Sequence, residues 1–333
     1  MTTSISLAVA AFITAFIAFP TAAKEPSPSR LRYAPDGSIL AASARGRPGI
    51  ILYDAKTLER LTGLDEKGSP IGDIDFGADA RTLATGAGDR VRVWDLDTFQ
   101  EIAVFPEEPG TITSIAYSHT GSLLAAGNFR GTLQVWNARQ SQLLWTYNKR
   151  GPFSVEAVAF SPDERRIAFL LDDTYLRVWD VATQEQKALF RGDLAATLAF
   201  SPDGRVLAAG SQRTLAGKPE YAARLWDIAS GAQIGYLPGH TDRIESINFS
   251  ADGSLLVTAG RDSTVRLWAW DSGQPVAVFR GHQAPVGTAA FSPDDLTIAS
   301  VDWQGQILLW DWNQASTAVE PTSWGTIKNT PDR

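Results

Sequence analysis

The chain has 333 residues, a formal net charge of −7 at pH 7 and 20% charged residues, a composition typical of a globular protein. The acidic balance argues against a general nucleic-acid-binding protein, which normally carries a basic domain. The absence of cysteine excludes disulfides, thiolate zinc sites and a catalytic thiol, and three histidines are too few for a multi-histidine metal centre, so we expect no cofactor and no metal.

The N-terminal segment has the pattern of a secretory signal. Residues 1–23 carry no charged side chain, and residues 5–19 are apolar apart from one serine and one threonine. Such a run is short for a membrane span, and small residues follow it. We expect residues 1–23 to be removed, residues 24–29 to form a polar linker, and the mature chain from Lys24 to be exported, to the periplasm or beyond, without a stable membrane span. An uncleaved anchor or a misassigned start is the alternative.

Two aromatic series repeat along the rest of the chain. The first consists of an aromatic residue followed by Asp, Asn or Ala, at intervals of 41 to 47 residues, and begins at Tyr53, Trp94, Trp136, Trp179, Trp226, Trp268 and Trp310. The second lies 18 to 20 residues upstream in six units and 26 upstream in the fifth, at Tyr33, Phe76, Tyr117, Phe160, Phe200, Phe249 and Phe291. Seven units therefore share one template, and the fifth carries an insertion of about seven residues.

Each unit is predicted to contain four short strands. In the sixth unit these cover residues 244–249, 255–259, 264–268 and 275–279, with turn residues between them. The first of these strands alternates apolar and polar side chains, as a half-buried strand does. No helical period is present, so the chain is predicted to be all-β.

These units resemble the WD40 repeat family, whose members carry Gly-His and Trp-Asp pairs in four-stranded propeller blades. Gly239-His240 and Gly281-His282 stand at the positions of the Gly-His pair. The resemblance covers residues 30–320 and implies a seven-bladed β-propeller with four antiparallel strands per blade, here in an exported, bacterial-type member. We expect each unit to form its own blade, with residues 317–319 as the outer strand of the last one, and residues 321–333 to form a tail.

The resemblance also implies a hydrogen-bond network inside a blade, made by a His, a strand hydroxyl, a turn Asp and the Trp. The sixth unit supplies all four, as His240, Ser246, Asp262 and Trp268. A catalytic triad would need an exposed nucleophile and an oxyanion hole, whereas Ser246 lies in mid-strand, so we interpret the set as structural and assign no catalytic residue.

The seventh unit matches this network only in part. His282, Thr288 and Trp310 are present, but Gln304 occupies the place of the aspartate. Asp302 lies two residues away from that place, so the network of the seventh unit is in doubt at this position.

The insertion in the fifth unit, residues 211–222, is predicted to be a long loop between the second and third strands. By the geometry of the family it shares one end of the propeller with the Gly-His loops, and exposed aromatic and arginine side chains there are typical of protein interfaces. We therefore predict a non-enzymatic scaffold that binds a protein or peptide, but no nucleic acid, at this end. The predicted contact residues are Phe129, Arg213, Lys218, Tyr221, Arg243, Arg261 and Trp303.

Two other functions stay open. An enzyme or small-molecule site in the central channel would use polar residues at the starts of the innermost strands, of which the candidates are Asp73, Thr113, Glu156 and Glu245. A structural role in a larger envelope assembly would require stable co-purifying subunits.

Overall fold

A computed structural model describes residues 12–13, 28–44, 49–66, 68–69, 71–106, 110–149, 153–191, 194–215 and 218–312. The regular elements of these residues are all strands. They are β1 (Phe12–Ile13), β2 (Pro28–Tyr33), β3 (Ile39–Ala44), β4 (Ile50–Asp54), β5 (Arg60–Leu64), β6 (Ile71–Phe76), β7 (Thr82–Ala87), β8 (Arg90–Asp95), β9 (Gln100–Pro106), β10 (Ile112–Tyr117), β11 (Leu123–Asn128), β12 (Thr132–Asn137), β13 (Gln142–Asn148), β14 (Val155–Phe160), β15 (Arg166–Leu171), β16 (Tyr175–Asp180), β17 (Gln186–Arg191), β18 (Leu194–Phe200), β19 (Val206–Leu215), β20 (Lys218–Asp227), β21 (Gln233–His240), β22 (Ile244–Phe249), β23 (Leu256–Gly260), β24 (Thr264–Ala269), β25 (Gln274–Arg280), β26 (Val286–Phe291), β27 (Ile298–Asp302) and β28 (Ile307–Trp310).

The strands form seven four-stranded antiparallel sheets, which confirms the predicted seven-bladed β-propeller. Blades 1 to 6 each use four consecutive strands, from β2–β5 to β22–β25, and blade 7 contains β26, β27 and β28. The first strand of each blade lies innermost and borders the central channel. The strand boundaries predicted for the sixth unit agree with β22 to β25 to within one residue at each end.

Seven apolar clusters lie between the blades, and each is shared by two consecutive sheets. The cluster between blades 7 and 1 combines Ala299 and Val301 with Leu31 and Leu40, so the ring is closed by packing. Closure leaves each sheet covered on both faces, which removes the apolar surface that an open array would expose.

Small residues in the second strands, which read Leu-Ala-Ala at Leu40, Leu124 and Leu207, allow neighbouring blades to approach closely. Ala125 and Ala126 are fully buried. A Cβ atom at Gly127 would lie 2.3 Å from a methyl group of Val155 in the next blade, which is too close for any side chain.

The last blade differs from the expectation that each unit forms its own sheet. Its outermost described strand is β1, which pairs Phe12 with Trp310 and Ile13 with Leu309. Residues 12–13 and 307–310 therefore belong to the same blade. The predicted outer strand at residues 317–319 lies outside the described residues, as does most of the predicted signal segment. Within the described part of the chain there is no helix with the length and apolar character needed to cross a membrane.

The insertion of the fifth unit is a β-hairpin, which corrects the prediction of a loop at residues 211–222. The pairing of β19 with β20 continues from Val206 and Asp227 without interruption to Leu215 and Lys218. Threonine, leucine and tyrosine in this segment favour extended backbone, and the cross-strand ladder supplies hydrogen bonds that a loop would lack. The insertion therefore lengthens two blade strands into a projecting arm.

Candidate binding site at the channel mouth

Three of the predicted contact residues meet at one end of the central channel. Arg243 lies in the connection from β21 to β22, Arg261 follows β23, and Trp303 follows β27. Their side chains border a cavity of about 340 Å³, together with Arg30, Glu156 and Glu245 of the innermost strands. We call this cavity, lined by those six residues, the channel mouth.

The charges in the channel mouth are paired with unequal closeness. Arg261 forms a short ion pair with Glu245 through its Nε atom. Arg243 lies between two carboxylates at longer distances, 3.5 Å from Glu156 and 3.8 Å from Glu245. Its Nε atom donates no hydrogen bond, although it is shielded from solvent. Arg243 is therefore held by charge rather than by a fixed hydrogen-bond geometry.

An aromatic ring completes the channel mouth. The guanidinium of Arg261 lies 5.1 Å from the ring centre of Trp303, which is a cation–π distance. The side chains of Arg243 and Arg261 are 30% and 34% exposed. Arginine and tryptophan are among the residue types that most often dominate binding energy in protein interfaces.

The other predicted contact residues lie outside the cavity lining. Phe129 is half exposed on the turn after β11, where the guanidinium of Arg130 lies 5.6 Å from its ring centre. Tyr221 pairs with His240 at the base of the projecting hairpin. Arg213 and Lys218 lie on the two strands of that hairpin. The hairpin, Phe129 and the channel mouth thus belong to the same end of the ring, although Phe129 does not line the cavity.

The sequence analysis did not identify Phe153, an aromatic residue near Phe129. The ammonium of Lys149 lies 3.9 Å from the ring centre of Phe153, and the same ammonium pairs with Asp173. Phe153 lies in the connection from β13 to β14, which corresponds to the position of the Gly-His pairs in other units. That correspondence could have revealed it.

The four polar residues proposed for an enzyme site in the channel all form hydrogen bonds or ion pairs with other residues of the chain. Asp73 lies 3.3 Å from Arg30 and accepts hydrogen bonds from the Ser114 hydroxyl and the Ile115 amide. The Thr113 hydroxyl donates to backbone carbonyls, and both glutamates pair with Arg243. In the described residues, no group of three or more His, Cys, Asp or Glu side chains could hold a metal ion.

The predicted network of blade 6 forms around a different hydroxyl. His240 Nδ1 lies 3.0 Å from the carboxylate of Asp262, and His240 Nε2 lies 2.8 Å from Thr258 Oγ1. The indole N–H of Trp268 donates to the same Thr258 oxygen at 3.0 Å. Thr258 therefore replaces Ser246 in the predicted set, and the other three members are as predicted.

This network is satisfied by a neutral histidine. Burial lowers the pKa of His240. Burial opposes ionisation of Asp262, but hydrogen bonds from His240, Thr241 and Thr264 outweigh it and hold the pKa of Asp262 far below its usual range. The indole N–H then donates to Thr258, the Thr258 hydroxyl to His240, and the His240 Nδ1–H to an ionised Asp262, so each donor has one acceptor.

Glycine makes the approach of this histidine possible. A Cβ atom at Gly260 would lie 2.7 Å from His240 Nδ1 and 3.2 Å from the Arg243 carbonyl. Any larger residue at the end of β23 would therefore push His240 away from Asp262 and would also disturb the backbone that carries Arg243.

Ser246 has another role, which connects blades rather than completing a blade. Its hydroxyl accepts a hydrogen bond of 2.9 Å from the Ala289 amide in blade 7. Equivalent side chains on other innermost strands do the same across the blade boundary: Thr197 accepts from Ile247, and Ser114 accepts from Val158. A β-bulge precedes Ser246 and locally alters the direction of its side chain, which the alternating sequence pattern does not reveal.

The network of blade 7 resolves the doubt about its aspartate. His282 Nδ1 lies 3.1 Å from Asp302, and His282 Nε2 lies 2.7 Å from the Ser300 hydroxyl, which also accepts from the Trp310 indole. Asp302 is fully buried, whereas Gln304 is exposed. The displaced aspartate is thus the member of the network, and Gln304 and Thr288 are not.

Blade 2 contains a third network that the sequence analysis did not find, because it has no histidine. Glu66 is fully buried at the position of the histidine. Its carboxylate accepts hydrogen bonds from the Thr85 hydroxyl, the Arg92 guanidinium and, at 3.1 Å, the Trp94 indole. Two signals were available in the sequence. Glu66 lies 28 residues before Trp94, the same spacing as between the histidine and the Trp in blades 6 and 7, and Thr85 lies nine residues before Trp94, close to the spacing of ten in those blades.

Four segments of the chain match the family described as WD domain, G-beta repeat, at residues 58–95, 99–137, 231–269 and 273–311. The WD40 resemblance drawn from the repeats is thereby confirmed. These matched segments include the Trp-Asp pair of blade 2 and the histidine networks of blades 6 and 7.

Curated relatives cover about half to two thirds of the chain. The chain is 29% identical over 222 residues to transcription initiation factor TFIID subunit 5 of Caenorhabditis elegans, covering 64% of the chain and 32% of that protein. It is 25% identical over 197 residues to autophagy-related protein 16 of Arabidopsis thaliana, with 58% and 37% covered. It is 28% identical over 204 residues to a guanine nucleotide-binding protein subunit beta of Oryza sativa subsp. japonica, with 55% and 52% covered. The chain thus spans between a third and a half of the length of these relatives.

Proposed function

We propose that this chain, a WD40-repeat protein with a seven-bladed propeller, is a non-enzymatic scaffold that binds a protein or peptide partner at the channel mouth and the adjoining hairpin of blade 5. The observation that carries the proposal is the convergence of Arg243, Arg261 and Trp303 on one accessible cavity of about 340 Å³. These residues come from three different connections, which the closed ring brings to one place.

The mechanism is presentation of fixed side chains by a rigid frame. Seven interblade clusters hold the blades, so the connections that carry the contact residues have little freedom to lose when a partner docks. The names of the matched relatives support a role in assemblies, since one is a subunit of a transcription initiation factor and another a subunit of a guanine nucleotide-binding protein.

The test compares capture of partners by the full chain and by a variant with alanine at Arg243, Arg261 and Trp303. We expect a stoichiometric partner, identified by mass spectrometry, to be captured by the parent chain and lost by the variant. The matched control replaces the exposed Arg81 and Arg205, which lie in turns at the other end of the blades. Equal capture by the parent chain and the channel-mouth variant would overturn the proposal.

We further propose that the mature chain begins at Lys24 and works outside the cytoplasm. The support is the apolar segment at residues 1–23, and the eukaryotic relatives named above give no support for a bacterial-type origin. Removal of this segment would also remove β1 from blade 7. Intact mass measurement of the exported product should give a chain that starts at Lys24, and retention of residues 1–23 would contradict this.

A further inference from the structure

The projecting hairpin of blade 5 has two edges with different hydrogen-bonding capacity. β18 pairs with β19 only as far as Ser211, opposite Leu194, whereas β19 and β20 stay paired to Leu215 and Lys218. Beyond Ser211, therefore, the edge of β19 that faces the channel axis has no strand against it among the described residues. The opposite edge belongs to β20 and faces outward.

The register identifies the free backbone groups. Proline has no N–H and cannot donate within a ladder, so the pair Thr214–Pro219 must be a non-hydrogen-bonded pair. Hydrogen-bonded and non-hydrogen-bonded pairs alternate, so the pair Gln212–Tyr221 is of the same kind. The N–H and C=O groups of Gln212 and Thr214 consequently point away from β20, toward the channel axis.

The outward edge of the hairpin is blocked, whereas no described strand lies against the axial edge. On the outward edge Pro219 offers no donor, and Tyr221 is already paired with His240 of β21. On the axial edge Gln212 and Thr214 offer two donors and two acceptors at the spacing of an extended strand. Natural proteins usually block such an edge with proline or by covering it, and within the described residues only the outward edge of this hairpin is blocked in either way.

We propose that the axial edge of this hairpin, residues 212–215, binds an extended acidic segment of the partner as an added antiparallel strand. The inference rests on the proposed function and specifies how the partner is held. Main-chain hydrogen bonds to Gln212 and Thr214 supply affinity that does not depend on side chains. The added strand would lie on the axis side of β19, above β18, and would lead toward Arg243, three residues beyond His240.

Charge selects an acidic partner over a second copy of this chain. The hairpin carries Arg213 and Lys218 against Glu220. The channel mouth carries three arginines against Glu156 and Glu245, so each of the two regions has one positive charge in excess. Edge-to-edge pairing of two copies along residues 212–215 would bring Arg213 of both chains close together, which like-charge repulsion disfavours. Carboxylates on the added strand would instead complement the same residues.

The test uses the full chain and a fluorescein-labelled hexapeptide of alternating glutamate and valine, followed by fluorescence anisotropy. We expect binding of this peptide, and at least about tenfold weaker binding of a lysine–valine peptide and of a glutamate–valine peptide N-methylated on alternate amides. On binding, the amides of Gln212 and Thr214 should gain protection from hydrogen exchange. Absence of binding at 1 mM peptide, or equal binding of the N-methylated peptide, would overturn the proposal.

Substitutions at Thr214 separate this edge from the channel mouth. Thr214→Pro removes the N–H that points toward the channel axis without removing a hydrogen bond of the hairpin, and it should weaken peptide binding about tenfold or more. Thr214→Val keeps the N–H and should bind as the parent chain does. Matching thermal unfolding curves would show that both variants fold, and protection of Gln212 on addition of peptide to the parent chain remains a readout that needs no variant.

Three outcomes distinguish the two proposals. Loss of the captured partner in both Thr214→Pro and the channel-mouth variant supports both. Loss in the channel-mouth variant alone overturns the added strand and leaves the proposed function standing. A dimer of the parent chain in analytical ultracentrifugation that Thr214→Pro abolishes would show that a second copy occupies the edge, and would overturn the acidic partner.

Discussion

The blade interiors and the channel mouth use the same kinds of charged side chain in opposite ways. Inside blade 6, His240 and Asp262 are almost fully buried, and each donor of their network has one acceptor. In the channel mouth, Arg243 is 30% exposed, lies more than 3 Å from both carboxylates and leaves its Nε atom without an acceptor. Closed networks contribute to the stability of the fold, whereas loosely paired charges can exchange their partners for those of a ligand.

A second comparison, between blades 2 and 6, shows that the closed networks are defined by position rather than by residue type. Both bury a Trp indole against a Thr hydroxyl of the second strand. Blade 6 completes the network with a neutral histidine, and blade 2 completes it with Glu66 and Arg92. An ionic network depends more strongly on each partner, because a lone buried charge costs more than a lone buried dipole.

The largest effect is therefore expected in blade 2. Glu66→Gln removes the charge that pairs with Arg92, whose side chain is only 10% exposed. We expect the free energy of unfolding to fall by about 3 kcal/mol, at the low end for a broken buried pair because Arg92 keeps Glu101 at 3.1 Å. Urea unfolding measures the change. In the control Glu101→Gln the loss should stay below about 1 kcal/mol, and equal losses in the two variants would contradict the comparison.

A smaller effect should distinguish the two hydroxyls of blade 6. Thr258→Val leaves both His240 Nε2 and the Trp268 indole without a partner and should cost about 2 kcal/mol. A double-mutant cycle with Asp262→Asn tests membership of the network. Thr258→Val should couple to Asp262→Asn by at least about 0.5 kcal/mol, whereas Ser246→Ala should be additive with it. Coupling of Ser246 instead of Thr258 would contradict the network described above.

The titration of Asp75, on the innermost strand β6, tests how strongly the inner part of the channel is shielded from solvent. This part is either as shielded as the blade interiors or as exposed as the channel mouth. Burial raises the pKa of Asp75 to about 6, although Arg32 lies 3.9 Å away and the Tyr117 amide donates to it. The folded chain then binds more protons than the unfolded chain between about pH 4 and pH 6, so Asp75 makes stability fall as pH rises through this window. Below pH 4 the contribution is absent, because the carboxyl is protonated in both states.

Replacement of this carboxyl should remove that part of the pH dependence. We expect Asp75→Asn to abolish a decrease of about 1–2 kcal/mol in the free energy of unfolding between pH 4 and pH 6. Unfolding curves at a series of pH values measure this, with the exposed Asp97→Asn as the control. An unchanged slope in Asp75→Asn would show that the channel is as open to solvent as its mouth.

The sequence was sufficient for the architecture but not for the partners inside it. Aromatic residues recur at near-constant intervals because each blade needs one large ring against the next sheet, so the number of blades and the strand positions could be predicted. Residue types alone could not identify Thr258, since Ser246 is also a strand hydroxyl and a β-bulge alters its direction. Glu66 was not predicted because the networks were identified by their histidine residues and not by the repeat position that the histidine occupies.

At the channel mouth and the hairpin of blade 5, too, the sequence predicted the positions of residues but not their pairing. Arg243, Arg261 and Trp303 were predicted from their places in the repeat, and the structure brings them together because the connections that carry them converge on the channel axis. The arm of blade 5 was predicted as a loop, because an insertion of seven residues shows its length but not its pairing. Only the register reveals that Pro219 blocks one edge and that Gln212 lies on the other.

The smallest effect on stability is expected where the effect on binding is largest. Alanine at Arg243, Arg261 and Trp303 removes partly exposed ion pairs and a half-buried ring, so the free energy of unfolding should change by no more than about 1 kcal/mol. Arg81→Ala, at an exposed pair with Asp97, provides the reference for a neutral surface change. A loss close to that of Glu66→Gln would mean that the channel mouth is a closed network like those inside the blades. Side chains whose contacts are required for the stability of the fold are not available to bind a partner.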